Sequence, residues 1–272
     1  MPSTGSPSTA WSCRRDGSVN NGMFIDYPFT VESFETDFDR RIKPFALQSR
    51  LQELTYRASA AGGAGYADLR ERGLFWALNR MHIVVDRWPL WGEDLVLQSW
   101  FRGRNGPMYQ RNYVLRKAGD AGAAPLVRAT SAWTVIALEG RGVSREMVYP
   151  DDFAEEEEDL LPFCPKVLVP AGVELATAGS RMAAWSDLDS NGHVNNCFYP
   201  QWAADLLGFK YLSSHQLTGI QVGYYREIHP GEQVDFFLGH NPEANTATAV
   251  WYAEGRVAGE RSFVVRLAFS AR

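Results

Sequence analysis

Asp187-Leu-Asp189-Ser-Asn191-Gly-His193-Val-Asn195-Asn196 is followed at once by apolar residues at helical spacing, Phe198, Trp202 and Leu206, with Gly208 as a plausible stop. Five side chains in this string, Asp187, Asp189, Asn191, His193 and Asn195, are able to polarise, deprotonate or hydrogen-bond a small substrate. A helix start adds unpaired N–H groups and the positive end of the helix dipole, which favour a developing oxyanion. Asp, Asn and Ser also serve as plain caps and turn formers, but a cap needs one such residue and this segment holds several.

Working outward, the string has an earlier counterpart. At an offset of 150 positions stands Asp37-Phe-Asp39-Arg-Arg41-Ile-Lys43-Pro, again followed by a helical pattern, Leu47, Leu51, Leu54 and Ala58. Strand-like blocks follow both times, and 80–93 matches 219–232 at an offset of 139. The shift predicts an insertion of 11 residues in the first copy, within 58–65 or 68–73. Runs rich in Val, Leu, Phe, Tyr and Trp predict strands at 94–101, 109–116 and 126–138, then at 233–239, 246–253 and 261–269. Each half therefore reads as a long helix wrapped by an antiparallel sheet, an α+β fold written twice. The expected organisation is a disordered leader over 1–23, a first unit over 24–150, a solvated acidic and Pro-rich linker over 151–170, and a second unit over 171–272.

Composition narrows the function. The chain has 272 residues, 45% apolar and 22% charged, as in an ordinary globular protein, and a net charge of −5 argues against a general nucleic-acid binder. No apolar run reaches membrane-spanning length. Three cysteines without a C-x-x-C pair, and a leader without the apolar stretch of a secretion signal, predict a reducing, cytoplasmic setting. The five histidines lack helical i, i+4 pairing and there is no phosphate loop, so no metal and no cofactor is expected.

With its continuation Cys197-Phe198-Tyr199, the string resembles the second-half signature of the acyl-acyl-carrier-protein thioesterases, which are tandem hot-dog proteins. The narrower markers are Asp189, Asn191 and His193 in an Asp-x-Asn-x-His arrangement, and Tyr224-Tyr225-Arg226-Glu227 further on. The resemblance spans roughly residues 24–270 and implies two hot-dog domains with their sheets joined side by side. It also implies release of free fatty acid from acyl carrier protein, ending fatty acid synthesis. By position, Asp189, Asn191, His193 and Glu227 match the residues regarded as catalytic in that family. Plant members carry a cysteine directly after the glutamate; Ile228 stands there in this chain. The alternatives are an acyl-CoA thioesterase and a non-catalytic module that binds acyl thioesters. The partner expected is acyl carrier protein, without nucleic acid or membrane span, and the chain is expected as a monomer or homodimer.

Thioester hydrolysis needs a positioned water, a base and donors for the oxyanion. Glu227, beside Ile220, Val222 and Ile228, is the expected base through partial desolvation, or else the attacking carboxylate. His193 and Asn191 are expected to orient the water or carbonyl, and Asp189 to fix the His193 tautomer or accept from helix amides. The N–H groups of Val194, Asn195 and Asn196 are the expected oxyanion donors. Cys197, one helical turn beyond His193, is the other thiol near the motif. In the first copy, Arg41, Lys43 and Trp88 stand where Asn191, His193 and Glu227 do at these offsets, so the first half is read as the acyl-chain-binding unit and the second as the catalytic one. Met81, Trp88 and Trp91, with Phe75, Trp76 and Trp100, are the expected tunnel lining. Arg102, Arg104, Arg111, Arg116 and Lys117 are the expected basic patch for an acidic carrier.

Overall fold

The computed structural model describes residues 24–120, 122, 124–149, 161–241 and 248–272, so the leader and the first half of the linker lie outside it. In chain order the elements are β1 (Phe24–Thr30), α1 (Pro44–Ala61), α2 (Tyr66–Glu71), β2 (Leu74–Val85), β3 (Asp94–Asn105), β4 (Met108–Lys117), β5 (Val127–Ala137), β6 (Ala176–Met182), α3 (Phe198–Asp205), α4 (Gly208–Ser214), β7 (His215–Tyr224), β8 (Gln233–Asn241), β9 (Ala249–Val257) and β10 (Glu260–Ala271). The ten strands form one antiparallel sheet in the order β1-β3-β4-β5-β2-β7-β10-β9-β8-β6. Read from either end, that order visits corresponding strands of the two halves.

The halves meet where β2 pairs with β7, with Met81 opposite Val222, His82 opposite Gln221 and Ile83 opposite Ile220. His82 and Gln221 are also counterparts at the offset of 139. A local twofold axis therefore passes through that pair, and the side-by-side joining implied by the repeat is what the sheet shows.

In α1, Leu47, Leu51, Leu54 and Ala58 are fully buried against the sheet, and Pro44 occupies the first turn, where a missing N–H costs nothing. The second helix is shorter than its pattern suggests. Leu206 and Leu207 keep helical dihedrals, and the left-handed Gly208 at φ +74° breaks the run as the first residue of α4. Of the two stretches expected to hold the insertion, 58–65 and 68–73, the second falls largely in α2 (Tyr66–Glu71), which begins between them. The edge strands β1 and β6 escaped the sequence reading: β1 carries Pro28, and β6 is the largely exposed Ala-Thr-Ala-Gly-Ser-Arg-Met, so neither shows strong alternation. The strand expected at 246–253 lies at 249–257.

Candidate active site

The motif does not open a helix directly. A short 3-10 turn at 185–187 leads into a loop clasped by the bridge between Leu188 and Val194, and α3 starts only at Phe198. Asp189 N–H donates to the His193 carbonyl at 2.8 Å, while the Asp189 carboxylate accepts from the Asn191 N–H at 2.8 Å. Asp189 thus shapes the loop that carries Asn191 and His193. Asp187 is buried and bound to Arg181 at 2.8 Å, and it caps the turn by accepting from Ala184 N–H at 2.9 Å; its role is structural.

Two of the three expected oxyanion donors are engaged. Val194 N–H donates to Ile228 O and Asn195 N–H to Asp187 O, both at 2.8 Å, which ties the loop to the one after β7 and to its own turn. The Asn195 side chain accepts from Cys197 N–H at 3.0 Å, which makes it a local cap. Asn196 differs. Its Oδ1 accepts from Gln48 Nε2 at 3.2 Å, and the residue lines both of the cavities described below. Gln48 comes from α1 of the other half, is fully buried, and also lies 2.7 Å from Tyr224 Oη. Nothing in the local spacing marked Gln48, since the contact joins residues 148 positions apart.

Glu227 lies three residues beyond the end of β7, in the loop to β8, rather than on a strand. Ile220, Val222 and Ile228 are buried in the core, and the Glu227 side chain is 35% exposed. Its neighbour Arg226 turns away to Glu232 at 2.7 Å. Glu227 instead pairs with Arg141, which crosses from the loop after β5 in the first half and stacks over Phe75 at 5.0 Å. His193 Nε2 stands 3.5 Å from the same carboxylate oxygen. Tyr56 of α1 hydrogen-bonds Asn191; burial, then the charge of Asp189, pushes its phenol above the usual range.

Asp189, Asn191, His193 and Glu227 all line one open cavity of about 550 Å³. Its far wall belongs to the first half: Phe75, Trp76, Leu78 and Arg141. A second cavity of about 110 Å³ runs into the first half between α1, α2 and the sheet, lined by Leu69, Phe101, Tyr109, Trp133 and Tyr149 among others. The two share Phe75, Trp76, Leu78, Asp189, Asn191 and Asn196.

Several expected residues stand elsewhere. Met81 is buried at the seam between the halves and belongs to the main core. Trp88 fills a different cavity and donates from Nε1 to Leu217 O at 2.6 Å, and Trp91 is exposed beneath Arg40. The inner cavity is lined by Phe75 and Trp76 with residues of β3 to β5, whereas Met81 packs within the main core. Arg111 is buried, bonds Ser99 Oγ at 3.1 Å and lines the inner cavity, so it cannot serve a surface patch. Cys197 is buried, its thiol pushed up to about 12 by burial, and it donates to Gln52 Oε1 at 3.4 Å rather than to an imidazole. That environment does not favour a nucleophilic thiolate.

The twofold axis also corrects the alignment of the two loops. Asp37 N–H donates to Arg41 O as Asp189 does to His193, Ile42 N–H donates to Pro89 O as Val194 does to Ile228, and Lys43 N–H donates to Glu35 O as Asn195 does to Asp187. These matches set the loop offset at 152, so the first copy's insertion is 13 residues. Asp37, Asp39 and Arg41 therefore stand where Asp189, Asn191 and His193 do, while Trp88 remains the counterpart of Glu227.

Comparison with known proteins agrees with this architecture. A family model for the acyl-ACP thioesterase N-terminal domain matches residues 22–155, and one for the acyl-ACP thioesterase C-terminal domain matches 179–266. The chain is 28% identical over 226 residues to the chloroplastic palmitoyl-acyl carrier protein thioesterase of Gossypium hirsutum, covering 77% of this chain and 53% of that protein. It is 26% identical to the chloroplastic dodecanoyl-[acyl-carrier-protein] hydrolase of Umbellularia californica, covering 76% and 57%. The chain spans about half the length of the curated relatives it matches. Among solved structures, an acyl-ACP thioesterase from Bacteroides thetaiotaomicron superposes with a TM-score of 0.77 at 22% identity, over 93% of this chain and 100% of that one. The 12:0-ACP thioesterase from Umbellularia californica superposes with a TM-score of 0.75 at 20% identity, over 93% and 96%.

Proposed function

Because the chain belongs to the acyl-ACP thioesterase family, we propose that it hydrolyses fatty acyl thioesters carried on acyl carrier protein, releasing the free acid and so ending chain elongation. One observation carries this reading: the four motif residues of the second half line a single open cavity that shares Asn196, Phe75 and Trp76 with an aromatic-lined cavity of the first half. An acyl chain placed in the inner cavity brings its thioester carbonyl to the shared wall. The pantetheine arm then leaves through the open one.

In this proposal Glu227 is the general base, and His193 at 3.5 Å helps hold the attacking water against it. Water gives a proton to Glu227 as its oxygen bonds the carbonyl carbon. The charge that develops on the carbonyl oxygen is met by the Asn196 Nδ2 group, which Gln48 holds in place, with the Asn191 amide close by. The intermediate collapses by breaking the C–S bond, and the leaving thiolate takes the proton back from Glu227. Arg141 occupies the Glu227 carboxylate oxygen in the resting site, so entry of the substrate arm is expected to draw Arg141 away.

An acidic carrier needs a basic rim. Arg70, Arg141 and Arg226 line the open cavity and are better placed for this than Arg111. The buried free thiols Cys164 and Cys197 fit the reducing, cytoplasmic setting proposed here.

The test is hydrolysis of an acyl-carrier series, short to long, by the wild type and by Glu227→Gln, with matching acyl-CoAs alongside. The reading expects turnover on the carrier series and a loss of about 10²–10⁴-fold in kcat for the variant. Full turnover by Glu227→Gln removes the base assignment, and equal kcat/KM on CoA and carrier substrates favours the acyl-CoA reading.

A further inference from the structure

The fold gathers three side chains that no metal-binding spacing announces: His193 on the motif loop, and Glu227 and His229 on the loop after β7. His193 Nε2 lies 3.5 Å from Glu227 Oε2, and the two imidazole rings meet edge to face with centroids 4.9 Å apart. One ligand atom from each residue lies within 4.8 Å of the others. Two imidazoles and a carboxylate form a donor set suited to Zn²⁺, Cu²⁺ and Ni²⁺ and poorly suited to Mg²⁺ or Ca²⁺. Bonds of about 2.0–2.1 Å place neighbouring tetrahedral ligands roughly 3.4 Å apart, so the widest pair of the trio must close by up to roughly 1.4 Å. His229 is the member free to do so, since it is exposed and its turn is held through its backbone N–H on Glu232 Oε2 at 2.8 Å.

We propose that His193, Glu227 and His229 form a binding site for a zinc-class divalent ion, and that its occupation switches the hydrolase off. The ion takes the imidazole and carboxylate lone pairs that the water would use. Binding depends on these three residues alone, whereas the switching-off rests on the proposed thioester hydrolysis. Arg141 opposes the ion, because its guanidinium holds the same Glu227 oxygen and adds a positive charge beside the site. Removing that guanidinium should therefore tighten metal binding, which a merely adventitious surface histidine would not show.

The experiment measures Zn²⁺ binding calorimetrically, and Co²⁺ binding by its visible absorption, on the whole chain and on His229→Gln and Arg141→Gln. Zn²⁺ inhibition of acyl-carrier hydrolysis is followed in parallel. Expected is one saturable site, weakened at least about tenfold by His229→Gln, a loss of the size seen when even a supporting partner of a metal ligand is removed. Tighter binding is expected in Arg141→Gln. Basal turnover of His229→Gln should equal that of the wild type, with Zn²⁺ inhibition relieved. Binding or inhibition unchanged by His229→Gln, or no saturable site at all, overturns the proposal. Metal bound through His229 by a chain that hydrolyses no thioester would keep the site and defeat the assigned activity instead.

Discussion

The loop at 187–196 and its counterpart at 35–44 follow the same hydrogen-bond plan, yet only one of them faces a carboxylate, that of Glu227. Both are pinned to the following strand loop, by Val194 to Ile228 and by Ile42 to Pro89, and both begin with a buried acid bound to arginine, Asp187 with Arg181 and Glu35 with Arg50. Even the left-handed position is kept, as Gly192 at φ +78° and Arg40 at φ +61°. The difference lies in what the shared backbone presents. The first loop offers Asp37 and Arg41 to a cavity of about 310 Å³ in which Trp88 occupies the place of Glu227. The backbone loop is thus a scaffold indifferent to chemistry, and a handful of side chains decides which copy is a candidate for turnover.

The sharpest way to break this comparison is to alter both copies at matched positions. Glu227→Gln should lower kcat by about 10²–10⁴-fold, whereas Trp88→Phe should leave kcat within about twofold, the scale of a change away from the reacting atoms. A similar loss from both, measured on one carrier substrate, would mean the first cavity takes part in turnover.

A second contrast separates the wall of the cavity from the core. Met81→Ala should cost about 2–5 kcal/mol in a urea melt, as burial in a packed core predicts, while leaving chain-length preference unchanged. Phe101→Ala, inside the inner cavity, should shift the preference toward longer acyl chains. A chain-length shift from Met81→Ala would restore the tunnel position first expected for it.

The axis itself is open to test by pH. Burial, then the charges of Arg266 and Arg128, lowers the His82 pKa from 6.5 to about 4. The folded ring stays neutral while the unfolded one takes up a proton, so His82 costs stability as pH falls from about 6.5 to about 4, with no further change below. The difference between wild type and His82→Gln should span about 3 kcal/mol across that window, read from denaturant midpoints at each pH. A pH-independent difference would place the ring in solvent.

The smallest effect concerns the link between the halves. Gln48→Leu should lower kcat about tenfold, less than the loss of an oxyanion donor itself, with KM unchanged and the melting transition close to that of the wild type. A rise in KM alone would make Gln48 a contact of the acyl chain.

Much of this was legible in the sequence, for reasons that can be stated residue by residue. The duplication, both helices and the inner strands follow from apolar periodicity, and Asp189, Asn191, His193 and Glu227 are drawn to one cavity by the pairing of loop and strand that the repeat implies. The loop alignment went astray by two positions because Asp37 and Asp39 match Asp187 and Asp189 letter for letter, while the hydrogen bonds match Glu35 to Asp187 and Asp37 to Asp189. Chemical likeness misled where backbone geometry decides. Arg141 and Gln48 were invisible because each acts across the twofold axis, on a partner 86 and 148 positions away. Trp88 and Trp91 were misread because size and aromaticity predict burial somewhere but do not say on which side of a sheet.

A residue on a dyad is obliged to face its own image. In a symmetric pair of separate chains the position of His82 would hold two histidines or two glutamines, never one of each. Fusing the copies into one polypeptide lifts that obligation, so an ionisable ring meets an uncharged amide at the centre of the molecule. Acid then brings one charge to the junction instead of two that repel, and each copy is free to diverge at the very point where self-matching once held it fixed.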